Sequence, residues 1–144
     1  MKLMSKDFAD NDSIPSECTC DGKNVSPHLA WENVPDETKS FALSATDPDA
    51  IGGWNHWLLY DIPITMKEIE KNRKPAIALE VENDFGKKTY GGPCPPSGTH
   101  RYVFTVYALD VEHLEGVNKR NFFDRIEEHT IEKAVIRGLY KRRR

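Results

Sequence analysis

The run YVFTVYAL, residues 102–109, follows a loop rich in glycine and proline, YGGPCPPSGTHR, at residues 90–101. The run carries bulky residues at both sets of alternating positions. Because successive side chains of a strand point to opposite faces of a sheet, this pattern is typical of a central strand covered on both sides. The segment WNHWLLYDI, residues 54–62, has the same character. These two runs therefore predict central strands of a buried sheet.

Two further segments alternate in the way that strands do. SFALSAT, residues 40–46, alternates large apolar residues with smaller or polar ones, and IALEV, residues 77–81, places a glutamate between apolar residues. The second pattern predicts a strand with one face in water. Turn residues separate all of these short apolar runs, which is the punctuation expected of a strand-rich protein.

One helix is indicated near the end of the chain, at about residues 119–128. There Phe122, Phe123 and Ile126 share a helical face, and Asn118 is a candidate N-cap. Residues 131–140 fit the helix and strand periods equally, and we expect a helical turn followed by a strand. The predicted fold is mostly β, a β-sandwich or packed sheets with a helix to one side.

Composition limits the classes of function. The chain has 144 residues, of which 38% are hydrophobic and 30% charged, as in a folded protein with a charged surface, and we expect a single domain over residues 1–144. A net charge of −3 argues against a general nucleic-acid-binding surface. The apolar runs are too short to span a membrane, and the acidic N-terminal segment does not resemble a signal peptide. We therefore predict a cytoplasmic protein, with the basic residues 141–144 as a solvated end.

The segment TDPDA, residues 46–50, ends the SFALSAT strand with two aspartates. Pro48 favours an extended conformation at Asp47, so Asp47 and Asp49 are expected to point the same way. Two such carboxylates need hydrogen-bond donors or a cation nearby. The alternative is an Asx-type turn, in which aspartate oxygens accept hydrogen bonds from the following backbone amides.

Two histidines and a tyrosine are further candidates for a site. His56 lies on the same face of its strand as Trp54 and Leu58, and His100 and Tyr102 share a face if their strand has begun by residue 100. Together with the aspartates they are suited to a metal site, a general acid–base pair or an anion pocket. Spacing alone leaves all three open.

Four motifs together resemble one known family. They are CTCDGKNVSPHLAW at residues 18–31, TDPDA at 46–50, WNHW at 54–57 and GGPCPPSGTHRY at 91–102. In this order they resemble the phosphatidylethanolamine-binding proteins, and more narrowly their prokaryotic, Raf kinase inhibitor-like branch. The resemblance implies a β-sandwich of antiparallel sheets, with one or two short helices near the C-terminus and a small anion-binding pocket at one end.

The resemblance also implies the residues of that pocket. They are Asp47, Asp49, His56, Gly92, Pro93, His100 and Tyr102. Glycines and prolines of the loop would hold it in place before a ligand arrives. An aspartate that accepts from one ring nitrogen of a histidine would orient the ring and favour its cationic form, which leaves the other N–H to donate to a phosphate or phospholipid head group. We predict no metal and no cofactor.

The function predicted on this basis is the binding of a small anion, with a protease or kinase as a possible regulated partner, and not catalysis. The alternative is a hydrolase that uses the aspartates and histidines on esters or phosphoesters; a purely structural role is a third candidate. Trp54, Trp57 and the Phe122–Phe123 pair offer apolar surface, from which we predict a homodimer. Compared with the family pattern, Ile51 replaces the proline usual after the DPDA motif, which would loosen that turn, and the loop is shorter than in many bacterial relatives, which would change the pocket rim. The longer C-terminal helix typical of eukaryotic members is also missing, so we expect a more open pocket.

Three cysteines leave several pairings open. Cys18 and Cys20 lie in the first motif and Cys94 in the last. We expect reduced, packed thiols. A zinc site of three cysteines and a histidine lacks the paired spacing of zinc ribbons, and a bridge between Cys20 and Cys94 is the remaining alternative.

Overall fold

The structure is a computed structural model and describes residues 1–143. The following elements are present in chain order: β1 (Lys2–Met4), β2 (Asp12–Ser13), a 3-10 turn (Ser16–Cys18), β3 (Leu29–Glu32), β4 (Ser40–Asp47), β5 (Trp54–Pro63), β6 (Glu68–Ile69), β7 (Leu79–Val81), β8 (His100–Leu109), α1 (Phe122–His129) and β9 (Thr130–Tyr140). The predicted strand-rich class with a helix near the C-terminus is confirmed.

The strands form two sheets. The smaller has the order β1-β3-β6, and the larger has the order β2-β9-β8-β4-β5-β7. Neighbouring strands are antiparallel except for β2 and β9, which pair in parallel. The two runs predicted as central strands, β5 and β8, each lie between two hydrogen-bonded neighbours.

The main core lies on the face of the large sheet that packs against the small one. Phe41, Leu43 and Phe104 are fully or almost fully buried there. Trp31 of β3 meets Phe41 edge to face, with ring centroids 5.3 Å apart. The alternation read in β4 therefore corresponds to real burial of its larger side chains between the sheets.

Helix α1 belongs to a second core on the opposite face of the large sheet. Phe122 and Ile126 of the helix are fully buried with Leu58, Tyr107 and Leu109 of the strands. This second layer explains why β5 and β8 carry bulky residues at both parities. The large sheet is covered on both faces, by a sheet and by a helix.

Two details of the prediction near the C-terminus are wrong. The helix begins at Phe122 instead of residue 119, because the Asn118 side chain holds the preceding turn by accepting from the backbone N–H groups of Arg120 and Asn121. The expected helical turn after residue 131 is absent, since β9 starts at Thr130 and pairs with β8 along almost its whole length. Hydrogen bonding to β8 decides a segment whose own periodicity is ambiguous.

The apolar residues behind the predicted homodimer are largely internal. Trp57 and Phe122 are buried in the two cores, and only Trp54 is exposed to an appreciable extent. Trp57 and Phe122 therefore offer no surface for a partner, whereas Trp54 is exposed and Phe123 is partly buried, and a homodimer stays an untested prediction. Among residues 1–143, no helix has the length and apolar character needed to span a bilayer.

Candidate ligand-binding site

A cavity of about 540 Å³ opens where β4 ends and where β5 and β8 begin. Thirteen residues line it: Asp47, Asp49, Ala50, Ile51, Trp54, His56, Phe85, Cys94, Pro95, Pro96, Ser97, His100 and Tyr102. Five of the seven residues expected to bind a ligand are among them. Gly92 and Pro93 are not.

Strand pairing brings the five residues together. β4 and β8 are antiparallel neighbours with Thr46 opposite Val103, so the last residue of β4 lies beside the first residues of β8. Between β4 and β5, Ala45 is opposite Trp57 and Thr46 is opposite Asn55, which leaves His56 as an extra residue on β5. Such a bulge changes the direction of a side chain, and His56 lies in the cavity wall.

Asp47 combines the two roles that the sequence left as alternatives. Its Oδ1 atom accepts hydrogen bonds from the backbone N–H groups of Asp49 at 2.8 Å and Ala50 at 3.1 Å, which is the Asx-type turn. Its Oδ2 atom accepts a 2.6 Å hydrogen bond from Nδ1 of His100. The buried carboxylate therefore fixes both the turn and the histidine ring.

Asp49 is engaged by the neighbouring arginine. The Arg101 guanidinium donates to both carboxylate oxygens, at 2.7 and 3.0 Å, and the Arg101 backbone N–H donates as well. These hydrogen bonds lower the pKa of Asp49 to about 2. Neither aspartate therefore presents an unpaired charge to the cavity.

Within residues 1–143, no three His, Cys, Asp or Glu side chains are grouped so as to hold a metal ion.

His56 is buried and held by the loop. Its Nδ1 atom donates to the Gly91 carbonyl at 2.6 Å, and its own carbonyl accepts from the Gly91 N–H at 3.0 Å. Burial lowers the pKa of His56, although the Gly91 carbonyl and the charges of Asp47 and Asp84 act in the opposite direction. Burial therefore favours the neutral form of the ring.

The Tyr102 hydroxyl is a polar group in the cavity lining that could still form a hydrogen bond. It is buried, and although the Asp47 carboxylate and the Cys94 backbone lie near it, no atom within residues 1–143 makes a hydrogen bond of ordinary geometry to it. Burial raises the pKa of Tyr102, and the nearby Asp47 charge adds to this effect. The ring packs between the histidines, with centroids 5.3 Å from His56 and 6.4 Å from His100. A buried hydroxyl without a partner carries a desolvation cost that a bound ligand can relieve.

Gly92 and Pro93 contact the N-terminal segment instead of the cavity. The Gly92 N–H donates to Oδ1 of Asn24 at 2.8 Å, and the Pro93 carbonyl accepts from the Cys20 N–H at 3.1 Å. A Cβ atom on Gly92 would lie 2.3 Å from the Cys18 carbonyl oxygen, so only glycine fits there. Their predicted contact with a ligand stays a prediction, and their observed contacts anchor the loop.

A disulfide reinforces the same anchor. Cys20 and Cys94 are bridged across 74 residues of chain, whereas Cys18 is a free, buried thiol whose pKa burial raises to about 12. The expectation of three reduced thiols is therefore wrong for Cys20 and Cys94. Sequence could not decide this, because the loop contacts that bring the two cysteines together join segments far apart in the chain.

Sequence reasoning did not single out Phe85 as part of the site. The Phe85 ring lies 5.3 Å from His56 and 5.5 Å from Trp54, measured between centroids. Its polar segment, NDFGKKTY at residues 83–90, has no periodicity to mark it. The segment is ordered by buried Asn83, which bonds the backbone of His56, Phe85 and Thr89.

Comparison with known proteins agrees with this arrangement of sheets. The family model for the phosphatidylethanolamine-binding protein matches residues 4–141. The chain belongs to this family. Among its relatives, a UPF0098 protein of Methanothermobacter thermautotrophicus is 45% identical over 150 residues, covering 99% of each chain. The UPF0098 protein YbhB of Escherichia coli is 38% identical, covering 97% of this chain and 99% of its own.

Solved structures of family members have the same fold. The crystal structure of Escherichia coli YbcL, described as a member of the mammalian PEBP family, superposes with a TM-score of 0.93 at 30% identity and covers 99% of this chain and 98% of its own. A PEBP homologue of Chlamydia trachomatis, CT736, gives a TM-score of 0.90 at 33% identity, with coverage of 99% and 97%. The resemblance noted in the sequence is confirmed at the level of the family.

Proposed function

We propose that the protein binds a small anion, of the phosphate or phospholipid head-group type, in the cavity at the end of β4. The observation that carries this proposal is the hydrogen bond from His100 Nδ1 to the buried Asp47 carboxylate. It orients the ring and leaves Nε2, which makes no hydrogen bond within residues 1–143, for a ligand. In its imidazolium form the ring donates from Nδ1 to Asp47 and from Nε2 to an anion, and the Asp47 carboxylate favours that form.

The remaining polar groups support the same chemistry. The Tyr102 hydroxyl supplies a second, neutral donor. Arg101 and His100 engage the two carboxylates, which limits their repulsion of an anion. The cavity volume of about 540 Å³ lies within the usual range for small-molecule pockets. A cavity of this size accommodates a phosphate group together with the small organic group esterified to it.

We infer a regulatory role from the sequence resemblance and not from the cavity. The sequence leads us to expect a protein partner such as a protease or a kinase. Exposed apolar side chains at the mouth of the cavity, Ile51, Trp54 and Phe85, offer a surface that ligand binding would alter. In this proposal the anion and the partner meet at the same end of the sandwich.

Nuclear magnetic resonance titration tests the proposal directly. We expect phosphoethanolamine to shift backbone amide signals of residues at the cavity, such as His100, Tyr102 and Ser97, and we expect ethanolamine to have no such effect. Absence of any saturable shift would overturn the proposal. Turnover of phosphate or carboxylate esters that is lost in His56→Ala would instead support a hydrolase.

A further inference from the structure

We propose that His56 makes the cavity selective for anions that bring their own proton, so that a phosphate monoester binds with its P–O–H group donating to Nε2 of His56, while a sulfate ester is rejected. This inference rests on the proposed function, because it concerns the same cavity. The inference specifies, beyond the proposed function, which protonation state of the ligand binds and that His56 is the residue that distinguishes it. The argument depends on which nitrogen of the His56 ring holds a hydrogen.

The hydrogen bond between His56 and the loop settles that question. A backbone carbonyl oxygen has only lone pairs to offer, so the 2.6 Å contact of Nδ1 with the Gly91 carbonyl requires a hydrogen on Nδ1. A neutral imidazole has one N–H and one lone pair. With Nδ1 protonated, Nε2 of His56 is an acceptor. The Gly92 backbone also lies near the ring, but within residues 1–143 the ring hydrogen bond of ordinary geometry is the one to the Gly91 carbonyl.

The surroundings of His56 favour the neutral ring over the protonated one. Phe85 and Tyr102 each meet it edge to face at 5.3 Å, and the residue is only 4% exposed. The charged groups that face it, Asp47 and Asp84, favour the protonated ring. Asp47, however, is paired with His100, and Asp84 is paired with Lys119 at 3.0 Å. The net effect, dominated by burial, is a lowered pKa.

The two histidines therefore offer opposite polarity to a ligand. Nδ1 of His100 already donates to Asp47, so His100 presents a donor at Nε2 in its imidazolium form, whereas neutral His56 presents a lone pair. A tetrahedral anion whose oxygens are all acceptors has no hydrogen to donate to Nε2 of His56. The lone pair of an anion oxygen would then face the lone pair of Nε2, which is repulsive. A phosphate monoester monoanion has both acceptor oxygens and one O–H donor, and it satisfies both rings. A buried site built to accept a hydrogen bond disfavours a ligand that cannot donate one.

A pair of ligands of equal shape and charge isolates the proton. Methyl sulfate is a monoanion without an O–H group, and methyl phosphate near pH 6 is about half monoanion with one O–H group. Calorimetric titration near pH 6 is expected to give at least about tenfold tighter binding of the methyl phosphate monoanion. Equal affinities would overturn the inference and leave the proposed function intact. Failure of both ligands to bind would overturn both.

A matched pair of variants assigns the selectivity to His56. His56→Phe keeps an aromatic ring beside Phe85 and Tyr102 but removes the acceptor, so the ratio of the two affinities is expected to fall to about one. His113→Phe changes an exposed histidine outside the cavity lining and is expected to keep the ratio of the unaltered protein. A ratio unchanged by His56→Phe would contradict the role of His56. If that variant does not fold, the ratio in the unaltered protein decides the question alone.

Discussion

His100 donates through Nδ1 to the Oδ2 atom of Asp47 at 2.6 Å, although 53 residues separate the two in the chain. Asp47 is the last residue of β4 and His100 the first of β8. The antiparallel pairing of these strands brings the two side chains together, and the Asx-type turn holds the carboxylate in place. The orientation of His100 is thus built into the sheet before any ligand binds.

Removal of the His100 ring is expected to weaken ligand binding strongly. In His100→Ala the cavity loses a donor to an anion, which is expected to cost about 1.5–3 kcal/mol of binding free energy for phosphoethanolamine. Calorimetric titration measures this loss. His113→Ala removes an exposed histidine outside the cavity lining and serves as the control. Equal affinities of the two variants would contradict the assigned role of His100.

Asp47→Asn is expected to change the tautomer of His100. The oxygen of the new amide is needed by the backbone N–H groups of Asp49 and Ala50, so its NH₂ group faces the histidine. Nδ1 of His100 must then accept instead of donate. Nitrogen-15 spectra of the imidazole rings are expected to show loss of the hydrogen from Nδ1. Spectra unchanged from those of the unaltered protein would show that Asp47 does not set the tautomer.

Much of the fold could be predicted from local pattern. The alternation in β4 and the doubly apolar runs of β5 and β8 are properties of single strands, and each is confirmed. The boundary of α1 and the start of β9 could not be predicted, because they depend on partners. Asn118 holds the turn before the helix, and β8 holds β9.

The residues of the site also fall into two groups, those that the sequence predicts and those that it does not. Residues at strand ends, such as Asp47 and His100, were predicted from the family resemblance together with strand parity. The contacts of the loop residues, in contrast, were not predicted from the sequence. Gly92 packs against the N-terminal segment, and Phe85 enters the cavity wall from a polar segment without periodicity. Their positions depend on contacts between distant segments, which a single sequence does not reveal.

The stability of the protein is expected to carry a component from His56 that depends on pH. Burial lowers the pKa of His56 in the folded state, whereas an exposed histidine in the unfolded chain titrates near about 6.5. Between these values the unfolded state binds more protons, so stability is lost as pH falls below about 6.5. Denaturant unfolding at several pH values is expected to show this loss in the unaltered protein and less of it in His56→Phe. A constant difference between the two proteins from about pH 8 to 5 would contradict the lowered pKa.

The disulfide is expected to contribute about 2–4 kcal/mol to the free energy of unfolding, because it closes a loop of 74 residues. Dithiothreitol should lower the stability of the unaltered protein and have no such effect on the Cys20→Ser/Cys94→Ser double variant. Thiol titration in denaturant without reductant is expected to detect Cys18 alone. Detection of all three cysteines would show that the bridge is absent.

The most direct test of the central claim is calorimetric titration of phosphoethanolamine at about pH 5.5 and 8, with and without a chelator. Binding of an anion through histidine N–H groups, or through a proton on the ligand, takes up protons and should be tighter at the lower pH. A metal held by the same histidines predicts the opposite trend, since protons compete with the metal. We predict tighter binding at pH 5.5 that the chelator does not change. Tighter binding at pH 8 that the chelator abolishes would contradict the account.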